Sequence, residues 1–402
     1  MVEEVFERFG LEPILTNFEQ NQLESFREVM LATKLRLTPF LSPRLFGLLD
    51  EVKSTLGFDE AIDLFVSADA EVNAYAIHTV DETPHIIGLT SSLIERLSDT
   101  ELRFVLGHEI GHLAFRHYRA KLVKIAFGEA TVPPLLERRL VSWGRLAEIS
   151  ADRAGHAAAG GDLQSIVATF FKLESGLGPE HVRFDIGAFL GQLSEIQQGD
   201  RSRMVSHFSH PLTPIRVRSL QLFAEAPAGD LSAVDEAVKG LADLMEVKAT
   251  SPLEVHGRDF LLAAGVLLTH GDGEGVSDEE HEALVEILLP LMPDPEQGIA
   301  GIANGAAALE SMERSAAWLR ENAGEERFAI FRLLARIAAV DGILKHQEEE
   351  ILRASANLLG IPANSARKIQ YEILTANLQA RRTTGPQPGS SFDFNSMATG
   401  KD

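Results

Sequence analysis

Leu102-Arg103-Phe104-Val105-Leu106-Gly107-His108-Glu109-Ile110-Gly111-His112-Leu113-Ala114-Phe115-Arg116-His117 is the stretch on which the reading turns. Ser98 followed by Glu101 is a capping-box pattern, and it opens a helix predicted over 99–118. Leu102, Val105, Leu106, Leu113 and Ala114 supply its apolar side. On a helix, positions i and i+4 lie about 40° apart around the axis, so His108 and His112 face one side. Both imidazoles can then reach one ion at about 2.0–2.1 Å. Glu109 stands beside the first of them, within reach of a water on that ion. The H-E-x-x-H spacing therefore points to zinc hydrolysis with Glu109 as general base.

Two histidines leave a metal short of ligands. One common arrangement takes a third histidine six residues beyond the second, after a glycine at three, but those positions hold Tyr118 and Phe115. His117 lies five residues past His112, about 140° around a continuing helix, and is expected to point away as a structural or exposed residue. The other arrangement takes a glutamate from a second helix. A helix predicted over 136–159 carries Glu148, which completes a two-histidine, one-carboxylate set with an open position. Asp152 is one turn further on, placed to accept the outer ring N–H of a ligand histidine. His156 continues the same face and stays open as a competing ligand.

Outward from this core, residues 1 to about 65 are predicted helical, with a break between Pro39 and Pro43. Residues 72–80 and 85–90 suit strands, and Asp81 to Pro84 between them is a turn signal, so a β-hairpin is expected. Further helices are predicted over 163–175, 182–198 and 213–224, with a polar stretch over about 197–209. The second half is helical by pattern and holds a weak internal repeat. Leu262 to Gly265, Gly271 to Gly273 and Ser277 to Glu280 are echoed by Arg336 to Ala339, Asp341-Gly342 and Gln347 to Glu350. The expected fold is mainly α with a small β-sheet (α+β): a zincin-like metallopeptidase domain followed by an all-α helical domain. Its divisions are 1–226, a linker region 227–257, a helical domain 258–380 and a disordered tail 381–402.

Composition narrows the partners. The 402-residue chain carries a formal net charge of −22, which disfavours phosphate backbones and anionic membranes. With no cysteine, thiolate ligands and disulfides are excluded, so a transition metal must be held by imidazole and carboxylate. No secretory signal and no apolar run of spanning length is read, and a cytoplasmic location is expected.

Four pieces, in order, resemble metallopeptidase family 48, the gluzincins that include CAAX prenyl endopeptidases and heat-shock proteases of the HtpX type. Val72-Asn73-Ala74-Tyr75-Ala76 resembles the family's edge strand, Leu102 to His117 its zinc helix, and Glu148 to Asp152 its third-ligand helix. His210-Pro211-Leu212-Thr213-Pro214-Ile215-Arg216 resembles its His-Pro…Arg motif. The likeness covers about residues 40–225. It implies one Zn2+ per chain on His108, His112 and Glu148, and a hydrogen bond from His210 to the oxyanion, with His207 as a lesser substitute. It also implies that Arg216 positions that loop or pairs with acidic groups near the metal. The strand, with Asn73, Ala74 and Tyr75, would take substrate by backbone pairing. The best-known members span membranes and no spanning segment is read in this chain, so it is similar to the family's soluble branch. The second half resembles TerB-like helical domains, named for a tellurite-resistance protein, through Asp272-Gly273 and Asp341-Gly342.

These readings imply a zinc-dependent metalloendopeptidase acting on a protein or peptide substrate. The helical domain is a candidate for holding a regulatory partner. The alternative is a latent or regulatory metal-binding stress-response interaction protein that works through its C-terminal domain. A degenerate scaffold would be expected to lack Glu109, Glu148 or His210, and all three are present.

Overall fold

A computed structural model of the chain describes residues 27–79, 83–119, 134–198, 211–226, 231–246, 248–270 and 278–384. The chain divides into two compact units, 1–246 and 247–402. Its described residues are mainly helical, with one four-stranded sheet, which is the expected fold class.

The first unit begins with helical turns over 27–33, strand β1 (Leu35–Arg36), helix α1 (Pro43–Leu56) and strands β2 (Ile62–Ser67), β3 (Ala74–Ile77) and β4 (His85–Thr90). Helices α2 (Ser91–Arg96), α3 (Asp99–Ala114), α4 (Pro134–Ala158), α5 (Leu163–Ser175), α6 (Ile186–Gln198), α7 (Thr213–Ala224) and α8 (Ser232–Ala242) follow. The sheet order is β1-β2-β4-β3. β3 and β4 pair antiparallel, as the hairpin reading requires, although residues 80–82 of its turn lie outside the described residues. The helical reading of residues 1–65 is corrected at 35–36 and 62–67, which are strands. Ile62 to Ser67 pairs in parallel with β4 on one side and with β1 on the other. A short apolar run buried on both faces shows neither periodicity, so the letters alone do not separate it from helix.

Alternation divides the sheet's residues between two faces. Leu64, Ile87 and Leu89, with Ala74 and Ala76, face the main core of α1, α3 and α5. Phe65, Ile86, Tyr75 and Ile77 face the other way and pack with Met30. The described part of the stretch expected to connect the two halves carries α8, whose Val234 and Val238 pack with Ile149 of α4 and Ile215 of α7. Arg145, 2% exposed, donates to the carbonyl of Met245 and to Glu246, pinning the end of this unit to α4.

The second unit comprises helices α9 (Pro252–His270), α10 (Asp278–Leu288), α11 (Pro295–Ala300), α12 (Gly305–Asn322), α13 (Glu326–Ala338), α14 (His346–Leu358) and α15 (Ala363–Thr384). The internal repeat is legible as two helix pairs, α9 with α10 and α13 with α14. The first Asp-Gly turn, within 271–277, and the tail from 385 lie outside the described residues. Gly342 of the second turn has φ 81°, a left-handed conformation that favours glycine.

Candidate metal centre and active site

The site depends on how closely α3 and α4 approach. A Cβ on Gly107 would lie 2.4 Å from the Ala158 Cβ, and one on Gly111 would lie 2.9 Å from the Ala154 Cβ. From the other side, a Cβ on Gly155 would lie 2.7 Å from the Phe104 carbonyl oxygen. Small residues one turn apart on both helices let the backbones nearly touch. Glu148 can then reach the two histidines with a side chain of ordinary length.

His108 and His112 bring their Nε2 atoms to 3.0 Å. Glu148 Oε2 lies 3.6 Å from the first, and its Oε1 3.5 Å from the second. A tetrahedral ion at about 2.0–2.1 Å from its donors separates them by ~3.3 Å, which is the size of this triangle. The chemistry of the donors agrees. His108 donates Nδ1–H to Asp152 Oδ1 at 2.9 Å, so the Nε2 of its neutral ring is a lone pair. That lone pair faces a carboxylate and a second imidazole nitrogen across a gap that a cation fits.

Asp152 is fully buried. It accepts Arg216 Nε–H at 2.8 Å and Nη2–H at 2.6 Å as well as the His108 N–H. Burial alone would raise the Asp152 pKa. The Arg216 charge and the hydrogen bonds outweigh it, so the net shift is downward. Arg216 also lies 3.6 Å from Glu148 Oε2, with its guanidinium over the Phe170 ring. For His108, burial is the largest influence and acts downward, but the Asp152 hydrogen bond and the Asp152 and Glu148 charges turn the net shift upward. His112 is pushed down to about 3 by burial and then by the His108 charge.

Glu109 is 7% exposed, and burial lifts its pKa to about 7. The His108 and Arg216 charges and a hydrogen bond from the Ala76 backbone N–H act against that rise. A carboxyl tuned to neutral pH suits a group that must both take and return a proton.

The Ala76 contact also fixes the orientation of the edge strand. The Asn73 carbonyl accepts from Thr90 N–H, so in this antiparallel pair Asn73, Tyr75 and Ile77 spend their backbone groups on β4. Ala74 and Ala76 turn theirs outward, on the side of β3 that pairs with no other strand among the described residues. Of the three residues expected to bind substrate, only Ala74 presents its backbone this way. Asn73 is held by Thr90, and its side chain turns to Glu71. Tyr75 lies on the opposite face of the sheet, across Gly88, with its hydroxyl toward Met30. Ala76 was not anticipated, although the strand's alternation, with a register, would have found it.

His117 is corrected. It does not point away: its Nδ1 lies 3.0 Å from His112 Nδ1. The helix ends at Ala114, and Arg116 takes φ 55°, so the chain leaves the helical path and the 140° expected of a continuing helix does not apply. Burial pushes the His117 pKa down to about 4. His156 stacks edge-on against Phe223, and the described cluster able to hold a metal is His108, His112 and Glu148 without it. His210 and His207 lie outside the described residues, while Arg216 of the same motif sits within the cluster on α7.

An edge strand, a helix bearing two imidazoles and a second helix bearing a carboxylate define a domain of the metallopeptidase class. Residues 45–223 match the profile of peptidase family M48 and residues 259–370 that of tellurite resistance protein TerB. The chain thus carries an M48 peptidase domain followed by a TerB domain. It is similar to plastoglobule-localized metallopeptidase 48, chloroplastic, of Arabidopsis thaliana, at 31% identity over 230 residues. That alignment covers 52% of this chain and 66% of the relative, so the chain spans just under two thirds of the relative's length. No solved structure matches. Among the described residues no helix is long and apolar enough to cross a membrane.

Proposed function

We propose that the chain is a zinc metalloendopeptidase whose ion is held by His108, His112 and Glu148. The observation that carries this is three lone-pair donors, 3.0 to 3.6 Å apart, converging beside a buried glutamate that is hydrogen-bonded to an edge strand. Zinc, when bound, supplies a Lewis acid that makes water nucleophilic near neutral pH. The chain's own groups do the rest. The outward N–H and C=O groups of Ala74 and the outward C=O of Ala76 pair with an extended substrate and set its carbonyl beside the site. Glu109 takes the proton of the attacking water and returns it to the leaving amine. Asp152 holds His108 in the Nδ1–H tautomer, and Arg216 balances the charge of Asp152 and Glu148. His210 is the proposed donor to the oxyanion, on the strength of its sequence motif. Among the described residues β3 is the last strand of its sheet, and backbone pairing along such an edge suits cleavage within a chain. The TerB domain is the proposed seat of a regulatory partner.

Metal analysis joined to digestion of an unbiased peptide library tests this. One zinc per chain and cleavage of internal bonds are expected. Glu109→Gln should keep the zinc and lose about 10²–10⁴ in rate, and undiminished cleavage by it would remove the assigned base.

A further inference from the structure

His112 directs Nε2 toward His108 and Glu148, and Nδ1 toward His117 Nδ1 at 3.0 Å. Two ring nitrogens at this distance share one proton, so one donates and the other accepts. Which is which follows from the ligand role. If the Nε2 lone pair is committed to an ion, the neutral His112 ring carries its proton on Nδ1 and donates. His117 then accepts at Nδ1 and keeps its own proton on Nε2, which lies 3.2 Å from Ser150 Oγ. The Ser150 hydroxyl in turn lies 2.9 Å from the Ala147 carbonyl oxygen, where it donates. Every step has one donor and one acceptor, and the last acceptor is the residue before Glu148.

We propose that His117 is a positioning residue which, with Ser150, fixes the tautomer and ring orientation of His112 and ties it to the helix that supplies Glu148. The proposal rests on His108, His112 and Glu148 being the metal ligands. The two histidines are then oriented by different means. His108 is held by the Asp152 carboxylate, and His112 by an uncharged imidazole and hydroxyl that add no negative charge to the site. Trp143 closes the outer side of this relay, edge-on to His117 with centroids 5.8 Å apart.

The test compares the full chain with His117→Leu, His117→Asn and Ser150→Ala. Zinc affinity is read by competition with a chromogenic chelator. Long-range 1H–15N spectra of the zinc-loaded parent report the ring tautomers. His117→Leu leaves the His112 N–H without an acceptor and should weaken zinc 10–100-fold. His117→Asn, with an amide oxygen near the Nδ1 position, should recover most of the loss, and Ser150→Ala should weaken zinc several-fold. The spectra should show His112 protonated at Nδ1 and His117 at Nε2. Parental affinity in a folded His117→Leu protein, or a proton on His117 Nδ1, would overturn the proposal. Should His117→Leu fail to fold, unaltered affinity in Ser150→Ala does the same. A parent that binds no zinc removes the metal reading and the relay together, whereas a zinc-binding parent matched by its variants removes the relay alone.

Discussion

Two buried clusters, one in each unit, hold their carboxylates in opposite ways. In the first, Asp152 is held by two N–H groups of Arg216 and one of His108, and its pKa falls. In the second, Glu280 and Glu348, 4% and 3% exposed, stand at the same third position of α10 and α14, the paired helices of the internal repeat. They hydrogen-bond to each other, and burial followed by the Glu348 charge lifts Glu280 to about 7. One cluster is built to stay charged, and the other takes up a proton more readily than an ordinary carboxyl. A carboxylate neutralised by a fixed guanidinium can brace a ligand of a further cation, whereas a pair of like groups relieves its repulsion by protonation.

Asp152→Asn tests the first half of this contrast most severely. It strips a buried arginine of its partner and should cost about 3–5 kcal/mol in urea unfolding. It should also weaken zinc 10–100-fold in chelator competition. Gly155→Ala leaves every charge in place but drives a methyl group into the Phe104 backbone. Overpacking of about 1–3 kcal/mol is expected, together with weaker zinc as the two helices part. Zinc affinity unchanged in this variant would show that the cluster does not depend on close helix approach.

Acid should act on the Asp152 and Glu280 contributions in opposite directions. Asp152 has a depressed pKa, so its contribution is present above the unfolded value of about 3.9 and is lost as pH falls through the folded one. Glu280 has a raised pKa, so the folded second unit binds the extra proton and loses stability as pH rises from about 4.3 toward about 7. The two tryptophans separate these signals, because Trp143 lies in the first unit and Trp318 in the second. The change that Asp152→Asn makes in the Trp318→Phe protein and the change that Glu280→Gln makes in the Trp143→Phe protein should have pH slopes of opposite sign in these ranges, which isolates each carboxyl from its neighbours. Parallel slopes would end the contrast. The smallest effect is expected from Glu280→Gln, which should change stability at pH 7 by less than about 1 kcal/mol while flattening the pH dependence of the second unit.

Much of the centre was legible because it is written in helical spacing. His108 and His112 lie one turn apart, as do Glu148 and Asp152, and regular helices carry both pairs. His117 escaped because its position depends on where α3 stops, and a left-handed residue at Arg116 cannot be read from a wheel. The close helix approach had a signal in Gly107, Gly111, Ala151, Gly155 and Ala158, but small residues fit many surroundings until their partners are known. β2 escaped because it is short, apolar and buried on both faces. The role of Ala76 needed the strand register, which is a property of two segments and not of one.

The outward edge of β3 also sets a step size. Its outward groups recur at every second residue, about 6.8 Å apart, and a guest backbone meets them with the same period. A chain held there cannot creep forward by one residue without turning all its paired groups the wrong way, so its admissible positions differ by two. If substrate pairs here as proposed, the edge would hold main chain in preference to side chains and would index it in pairs.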